Sequence, residues 1–166
     1  MAKKPKQLQD LFFDSLKDIY FAEKKILVAL PKMAKAAESD ELRAAFEKHH
    51  AETEGQVVRL EEVFGLIDEA PKGKNCPAIL GLVEEGKEVM EDYKGSPALD
   101  AGLLSAAQAV EHYEISRYGT LIAWAEELRL SEAVPLLQET LEEEKATDEA
   151  LTQLAEAAIN QEAEAA

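Results

Sequence analysis

The decisive stretch of this sequence is Val110-Glu111-His112-Tyr113-Glu114-Ile115-Ser116-Arg117-Tyr118. It lies in the middle of a long predicted helix, and its two carboxylates, three residues apart, fall on the apolar stripe that should face a core. Charged side chains are almost never fully buried unless they are paired or bind a metal ion. Three other segments place acids on or beside their apolar stripes, so the pattern indicates helices that bring carboxylates together.

The composition is that of a globular but strongly acidic chain. Its 166 residues are 46% hydrophobic and carry a formal net charge of -16, which favours a single domain over residues 1–166. This negative charge argues against a nucleic-acid partner, because phosphate binding needs Lys and Arg. The single cysteine, Cys76, fits a reducing compartment. The basic residues 1–6 precede no apolar signal region, and no run is long enough to cross a bilayer. We therefore expect a cytoplasmic protein without a membrane partner.

Apolar residues recur at helical spacing in five segments, and no segment has a convincing strand pattern. The predicted helices span about 8–38, 40–64, 77–93, 97–128 and 131–158. Ser39 or Asp40 should cap the second helix, Ser96 followed by Pro97 should start the fourth, and Pro31 should kink or interrupt the first. Short turns make the first two and the last two helices antiparallel pairs. We predict an all-α four-helix bundle with a long crossover that contains an additional short helix. A plain coiled coil is weaker, because acids interrupt the stripes.

The acids on these stripes share a depth in the bundle as well as a face. Counting from the turn near residue 38, Glu23 is 15 residues back and Glu52 is 14 forward. Counting from the turn near residue 130, Glu114 is 16 back and Glu144 is 14 forward. At about 1.5 Å per residue, the members of each pair lie at nearly the same level. Their sequence separations, 29 and 30, also match, which suggests a weak internal duplication carrying one carboxylate cluster.

A second set of residues extends this cluster. Asp18 and Gln56 are 38 residues apart, and Glu111 and Asp148 are 37 apart. His49 lies on the stripe of the second helix, three residues before the acid of that helix. The candidate metal ligands are Asp18, Glu23, His49, Glu52, Glu111, Glu114, Glu144 and Asp148.

Several like charges at one depth would destabilise a bundle unless something compensates for them. Protonation could do so, and so could the nearby cations Lys24, Arg59, Arg117 and Lys145. Metal ions are the third means, since carboxylates with a histidine on four facing helices form the ligand set of a di-iron or di-manganese site. We predict two metal ions, iron or manganese, with zinc as a further choice.

Four stretches of the chain resemble a known family. They are DIYFAEK (18–24), HHAETEGQVVRL (49–60), AAQAVEHYEISRYGT (106–120) and ETLEEEKATD (139–148). The chain resembles the ferritin-like superfamily, and more closely the YciF-type bacterial stress-protein family (domain of unknown function 892), over nearly its whole length. This resemblance implies a ferritin-like bundle, a homodimer, a dinuclear metal centre and a role in the stress response.

The order of the candidate ligands differs from the usual superfamily pattern, in which two helices supply Glu and two supply Glu-x-x-His. The second long helix here has His49-x-x-Glu52, and the last has Glu144 and Asp148. Two hypotheses stay open. One is a di-metal protein, with oxidase or peroxidase activity undecided, and the other is a metal-free structural or interaction protein that keeps a buried acid cluster.

Overall fold

The computed structural model describes residues 5–165, and it confirms the all-α bundle with a long crossover. Its helices are α1 (Leu8–Ala36), α2 (Asp40–Leu66), α3 (Pro77–Asp92), α4 (Leu99–Glu127) and α5 (Ala133–Leu154), followed by a π-helical turn (Ala155–Ile159) and α6 (Asn160–Glu164). The predicted domain, residues 1–166, extends at both ends beyond the described residues and stays a prediction. Within residues 5–165, no helix combines the length and the apolar character needed to span a membrane.

Two helix pairs form the bundle. Helix α1 packs against α2, α4 packs against α5, and the pairs meet through the α2–α5 and α1–α4 contacts. The crossover helix α3 covers part of α1 and α4. Apolar residues at helical spacing fill the core at both ends, including Phe12, Leu16, Phe46, Phe64 and Leu121. The predicted cluster level lies between these apolar layers.

Two interactions fix the turn between α1 and α2. The side chain of Ser39 caps α2 by accepting a hydrogen bond from the backbone N–H of Leu42 at 3.2 Å, as predicted. The carboxylate of Asp100, in the first turn of α4, accepts from the backbone N–H groups of Glu38 (2.9 Å) and Ser39 (2.6 Å). The α1–α2 turn is thereby attached to the start of α4, which helps to fix the relative height of the two hairpins.

The structure bears on two local predictions. Of the two outcomes predicted for Pro31, the interruption is wrong: α1 continues through this exposed residue, and its neighbours Leu30 and Met33 are buried in the core. Helix α4 begins at Leu99 and not at Pro97. The residues before it form a turn, in which the Leu99 N–H donates to the Ser96 carbonyl at 2.9 Å.

The crossover is held against α1 before α3 begins. The N–H of Lys74 donates to the carbonyl of Lys17 at 3.0 Å. Gly73 lies so close to α1 that an added Cβ would be 3.1 Å from the Cβ of Phe21, which favours glycine at this position. Helix α3 starts with Pro77 at its first position, after Cys76 as the N-cap.

Candidate metal centre

Five buried polar side chains converge in the middle of the bundle. Helix α1 contributes Glu23, α2 contributes His49, α4 contributes Glu111 and Glu114, and α5 contributes Glu144. The four glutamates are 0% exposed and the histidine is 2% exposed. Each lies on the buried stripe of its helix, so the same periodicity that builds the core brings these groups together.

Four of these side chains form a compact group. One ligand atom each from His49, Glu111, Glu114 and Glu144 lies within 4.8 Å of the others. Nδ1 of His49 is 3.1 Å from Oε1 of Glu111, and Nε2 is 3.8 Å from Oε2 of Glu144. The shorter approach lacks hydrogen-bond geometry, so it is a close contact of two polar atoms without a bond.

The fifth side chain, Glu23, lies beside this group. Its Oε1 accepts a short hydrogen bond from the hydroxyl of Tyr118, which is completely buried. The other oxygen of Glu23, Oε2, has no hydrogen-bond partner, and neither have the carboxyl oxygens of Glu111 and Glu114. Buried carboxyl groups that lie close together favour the protonated form, so the cluster retains protons where nothing else neutralises it.

The environment opposes charge on all five groups. Burial raises the pKa of Glu23 to about 8 and that of Glu144 to about 7. Burial, together with the neighbouring carboxylates, also raises the pKa values of Glu111 and Glu114 well above the ordinary range. Burial lowers the pKa of His49 to about 4, with smaller contributions from Lys48 and His50. The imidazole is therefore neutral near pH 7, the form in which it binds metals.

The cluster contains many polar atoms without a hydrogen-bond partner. Among the described residues, nine buried side-chain oxygen and nitrogen atoms are unpartnered, and eight of them belong to Glu23, His49, Glu111, Glu114 and Glu144. Unsatisfied buried groups are rare in folded proteins, and a bound ion is one arrangement that satisfies them. Carboxylate oxygens and imidazole nitrogen are ligands of iron, manganese and zinc, so the donor set fits a metal centre.

A layer of hydrogen bonds supports the cluster from the α2–α5 side. The amide of Gln56 donates a short hydrogen bond to Oε1 of Glu144 and a second one, of 3.1 Å, to Glu143. Arg59 donates to Thr140 at 3.0 Å, to Glu139 at 2.9 Å and, over a short distance, to Glu143. Such outer hydrogen bonds orient metal ligands and tune their basicity.

None of the four cations considered as counter-charges forms an ion pair with the cluster acids, as far as the described residues show. Arg59 pairs with the surface acids of α5, and Lys145 pairs with Glu142 at 2.9 Å. Lys24 and Arg117 lie over the rings of Tyr20 and Tyr113, at 4.6 Å and 5.2 Å from the centroids. Protons or metal ions remain as the means of neutralising the cluster.

Three of the predicted ligands lie outside this group. Asp18 accepts a 2.9 Å hydrogen bond from the hydroxyl of Tyr113, which also lies 3.1 Å from Sγ of Cys76. The side chain of Glu52 is 24% exposed and pairs with Lys48 at 2.6 Å. Asp148 is 22% exposed and approaches Nε2 of His112 at 3.2 Å.

Helix geometry places Glu52 and Asp148 beside the buried stripe, and local polar partners then decide where their side chains point. At about 100° per residue, Glu52 is turned by about 60° from His49, and Asp148 by about 40° from Glu144. Both therefore lie at the edge of the buried stripe, where solvent and other polar partners are within reach. Tyr118 is absent from the predicted ligands, yet its hydroxyl contacts the cluster. Its position one turn after Glu114 on the same stripe is the signal in the sequence.

An all-α bundle whose four long helices direct buried carboxylates and a histidine to one level is a ferritin-like carboxylate bundle. The fold and site define this class. The sequence also identifies the family, because the model described as "Domain of unknown function (DUF892)" matches residues 7–164. The chain belongs to the DUF892 family.

Known relatives agree with this assignment. Protein YciF of Escherichia coli (strain K12) is 46% identical over 160 residues, which represent 96% of both chains. The crystal structure of the E. coli stress protein YciF superposes with a TM-score of 0.89 at 45% identity, covering 94% of this chain and 99% of that one. YcfI of Rhodopseudomonas palustris, described as a proposed structural protein, has a TM-score of 0.86 at 44% identity and coverages of 92% and 97%. A Xanthomonas campestris protein at 22% identity, with a TM-score of 0.69, shares the fold.

Proposed function

We propose that this protein is a ferritin-like metal-binding protein that holds two divalent ions, iron or manganese, between its four long helices. The ligands in this proposal are Glu23, His49, Glu111, Glu114 and Glu144. The observation that carries it is the convergence of eight unpartnered buried atoms from four helices at one level. Iron or manganese bound there would supply one-electron chemistry toward oxygen or peroxide.

Charge balance supports two ions in preference to one. Four carboxylates carry four negative charges when ionised, and two divalent ions balance them. A single divalent ion would leave two charges, which the cluster would have to neutralise with two retained protons at the cost of metal affinity. The neutral state of His49 is suited to coordination, because no proton has to leave the imidazole near pH 7.

The biological setting is proposed from the family. E. coli YciF is named a stress protein, and we propose a related stress role for this chain, in the cytoplasm and as a homodimer. The dimer is tested by light scattering on the full chain at several concentrations. A mass of one chain, 18.3 kDa, at every concentration would contradict it.

A metal-free structural role is the second candidate, and specific observations favour it. The raised pKa values of Glu23 and Glu144 allow the cluster to be neutralised by protons near pH 7. One relative, YcfI, is described as a proposed structural protein. In this case the acid cluster would favour one packing arrangement of the helices over others, and it would lower the stability of the fold.

Metal analysis separates the two candidates. The metal-free protein is incubated with anaerobic Fe(II), with Mn(II) and with Zn(II), freed of unbound metal and analysed for metal per chain. We expect about two ions per chain. At a free-metal concentration 100 times Kd, we expect a stabilisation of about 2.7 kcal/mol. Less than about 0.3 ions per chain with every metal, and no shift in Tm, would support the structural role.

An activity assay is the next step once metal is bound. Oxygen and peroxide consumption by the iron- and manganese-loaded protein would be measured against the same amount of free metal. Consumption above the free-metal rate indicates an oxidase or peroxidase, whereas stable metal without turnover indicates storage or sensing. The Glu114→Gln variant provides the matched metal-poor control.

A further inference from the structure

A cavity between α1, α3 and α4 reaches the metal-centre residues. It has a volume of about 250 Å³, and its walls are mainly apolar. His49 and Glu111 line it, and both are nine-tenths or more buried and carry polar atoms without a hydrogen-bond partner. The exposed residues Lys25, Lys32 and Lys87 also line it, so the cavity extends from the surface to the cluster.

The walls of the cavity suit a hydrocarbon group. Ile26, Leu30 and Met33 of α1 face it together with Val83 of α3 and Val110 of α4. Apolar cavities of about 150 Å³ stay dry and can hold a benzene molecule, so this larger one has room for a ring or for a short alkyl chain. Small-molecule sites are typically of this kind, mostly apolar with a few placed polar groups.

The charges around the cavity select the head group of the ligand. Three lysines line it in a protein whose formal net charge is -16, and Glu111 is the single acid among its described lining residues. Lys87 is shared with Glu84 (3.0 Å) and Glu91 (3.9 Å), whereas Lys25 and Lys32 have no ion-pair partner in residues 5–165. The Lys25 ammonium lies over the ring of Phe21, 5.2 Å from its centroid. No carboxylate of residues 5–165 pairs with either ammonium, so a turn of these exposed side chains would bring both to an anion at the mouth.

We propose that this cavity binds a medium-chain carboxylic acid, with its carboxylate at the lysines of the mouth and its alkyl chain directed toward His49 and Glu111. Binding of the acid needs only the cavity and the lysines. If the proposed function holds, the acid bound here also represents the substrate class of the metal centre. This second conclusion rests on the proposed function.

Calorimetric titration of the metal-free full-length protein with octanoate tests the proposal. We expect saturable binding at sub-millimolar to low-millimolar Kd, and binding at least about tenfold weaker for octyltrimethylammonium, which has the same chain and the opposite charge. The triple variant Lys25→Gln, Lys32→Gln, Lys87→Gln changes only exposed side chains and should weaken octanoate about tenfold. Equal binding of the two probes, or no effect of the triple variant, would overturn the head-group assignment.

A cavity-filling variant tests the location. Ala106→Phe places a ring in the cavity and should abolish octanoate binding, whereas Ala123→Phe, on an exposed position of the same helix, should not. Circular dichroism establishes that both variants are folded, and the lysine variant remains informative if Ala106→Phe is not. Unchanged binding by folded Ala106→Phe would refute the proposal.

Three further outcomes are distinguishable. If a second copy of the chain covers the cavity, octanoate does not bind the parent protein and Ala106→Phe changes the mass measured by light scattering, which overturns the proposal. If octanoate binds but no metal does, the ligand site stands and the proposed function fails. If metal binds and octanoate does not bind up to about 5 mM, the metal centre stands and this inference fails.

Discussion

Nδ1 of His49 lies 3.1 Å from Oε1 of Glu111, although the two residues are 62 positions apart and belong to different helices. Neither atom has a hydrogen-bond partner, and both side chains are almost completely buried. The imidazole nitrogen is neutral and faces the carboxyl oxygen without a hydrogen bond. A metal ion that both atoms coordinate would stabilise this arrangement. The predictions below follow from this cluster and the residues next to it.

The first prediction concerns Glu114, which is buried between the other acids of the cluster. Replacement by glutamine removes a ligand oxygen of high charge, so Glu114→Gln should reduce bound metal to less than about a tenth of the parent value. In the metal-free state the same change removes one member of a like-charge cluster. It should therefore raise the free energy of unfolding, by about 1–3 kcal/mol at pH 8. Elemental analysis and urea unfolding measure the two effects.

A matched control for this variant is Glu126→Gln on the same helix. Glu126 is exposed, so its replacement should leave metal content unchanged and alter stability by less than about 0.5 kcal/mol. Equal effects of the two variants on metal content would show that the buried cluster is not the binding site. If the metal-free Glu114→Gln protein is less stable than the parent at pH 8, the prediction is wrong. Repulsion between the cluster carboxylates would then not destabilise the parent protein.

The second prediction is that the stability of the metal-free protein falls as the pH rises toward 8. Glu23 and Glu144 have pKa values raised from 4.5 to about 8 and about 7, so between pH 4.5 and 8 the folded state binds more protons than the unfolded state. Stability from these groups is full below pH 4.5 and is lost as pH rises through their folded-state values. His49, with a pKa lowered from 6.5 to about 4, has the opposite effect between those values.

The net decline should therefore be steepest between pH 6.5 and 8, where the histidine no longer opposes the carboxyls. Each carboxyl still protonated in the folded state contributes about 1.4 kcal/mol per pH unit. Urea unfolding in the presence of a chelator at pH 5, 6.5 and 8 measures it. With Mn(II) bound the carboxylates are ionised, so the decline should disappear. A metal-free stability that is constant or rises from pH 6.5 to 8 would contradict the prediction.

The third prediction concerns the hydroxyl of Tyr118, which donates a hydrogen bond to Glu23. This bond favours the ionised carboxylate and lowers its pKa, while burial raises it. Tyr118→Phe should consequently raise the pKa of Glu23 further and weaken metal binding about tenfold, as losses of outer hydrogen bonds to ligands do. The measurement is competition for Mn(II) with a chelating dye.

Tyr20→Phe is the control for this effect. Tyr20 is also buried, but its hydroxyl donates a 2.7 Å hydrogen bond to Glu61, which is not a proposed ligand. It removes a similar hydroxyl without touching the five proposed ligands. Loss of affinity in both variants to the same extent would indicate a general loosening of α1 and would leave no special role for the bond to Glu23.

Much of the site could be predicted because helical periodicity and depth are both readable in the sequence. The three-residue spacing of Glu111 and Glu114, and the matched distances of Glu23 and Glu144 from their turns, are consequences of the helix repeat. Side-chain direction at the edge of a stripe is different, since it depends on local competition between partners. Lys48 competes for Glu52 in this way, and no periodicity reveals it.

The start of α4 and the path of α1 illustrate the same limit on the fold. Ser96 and Pro97 are a favourable helix start by type, yet they form a turn that places Asp100 under the α1–α2 connection. Pro31 is unfavourable within a helix, yet the burial of residues on both sides stabilises the continuous α1. Tertiary contacts determine where α4 begins and whether α1 continues, and these contacts cannot be read from the sequence alone.

The last prediction addresses the acids that lie beside the cluster. Glu52 pairs with Lys48, and Asp148 accepts a 3.1 Å hydrogen bond from Gln108, so each carboxylate has a partner outside the five proposed ligands. Glu52→Gln and Asp148→Asn should therefore retain at least about four-fifths of the bound metal, in contrast to Glu114→Gln. Their effects on stability should be less than about 1 kcal/mol, because both side chains are partly exposed. If Glu52→Gln instead loses about one ion of two per chain, Glu52 turns inward when metal binds, and the centre has six protein ligands with His49-x-x-Glu52 as its α2 pair.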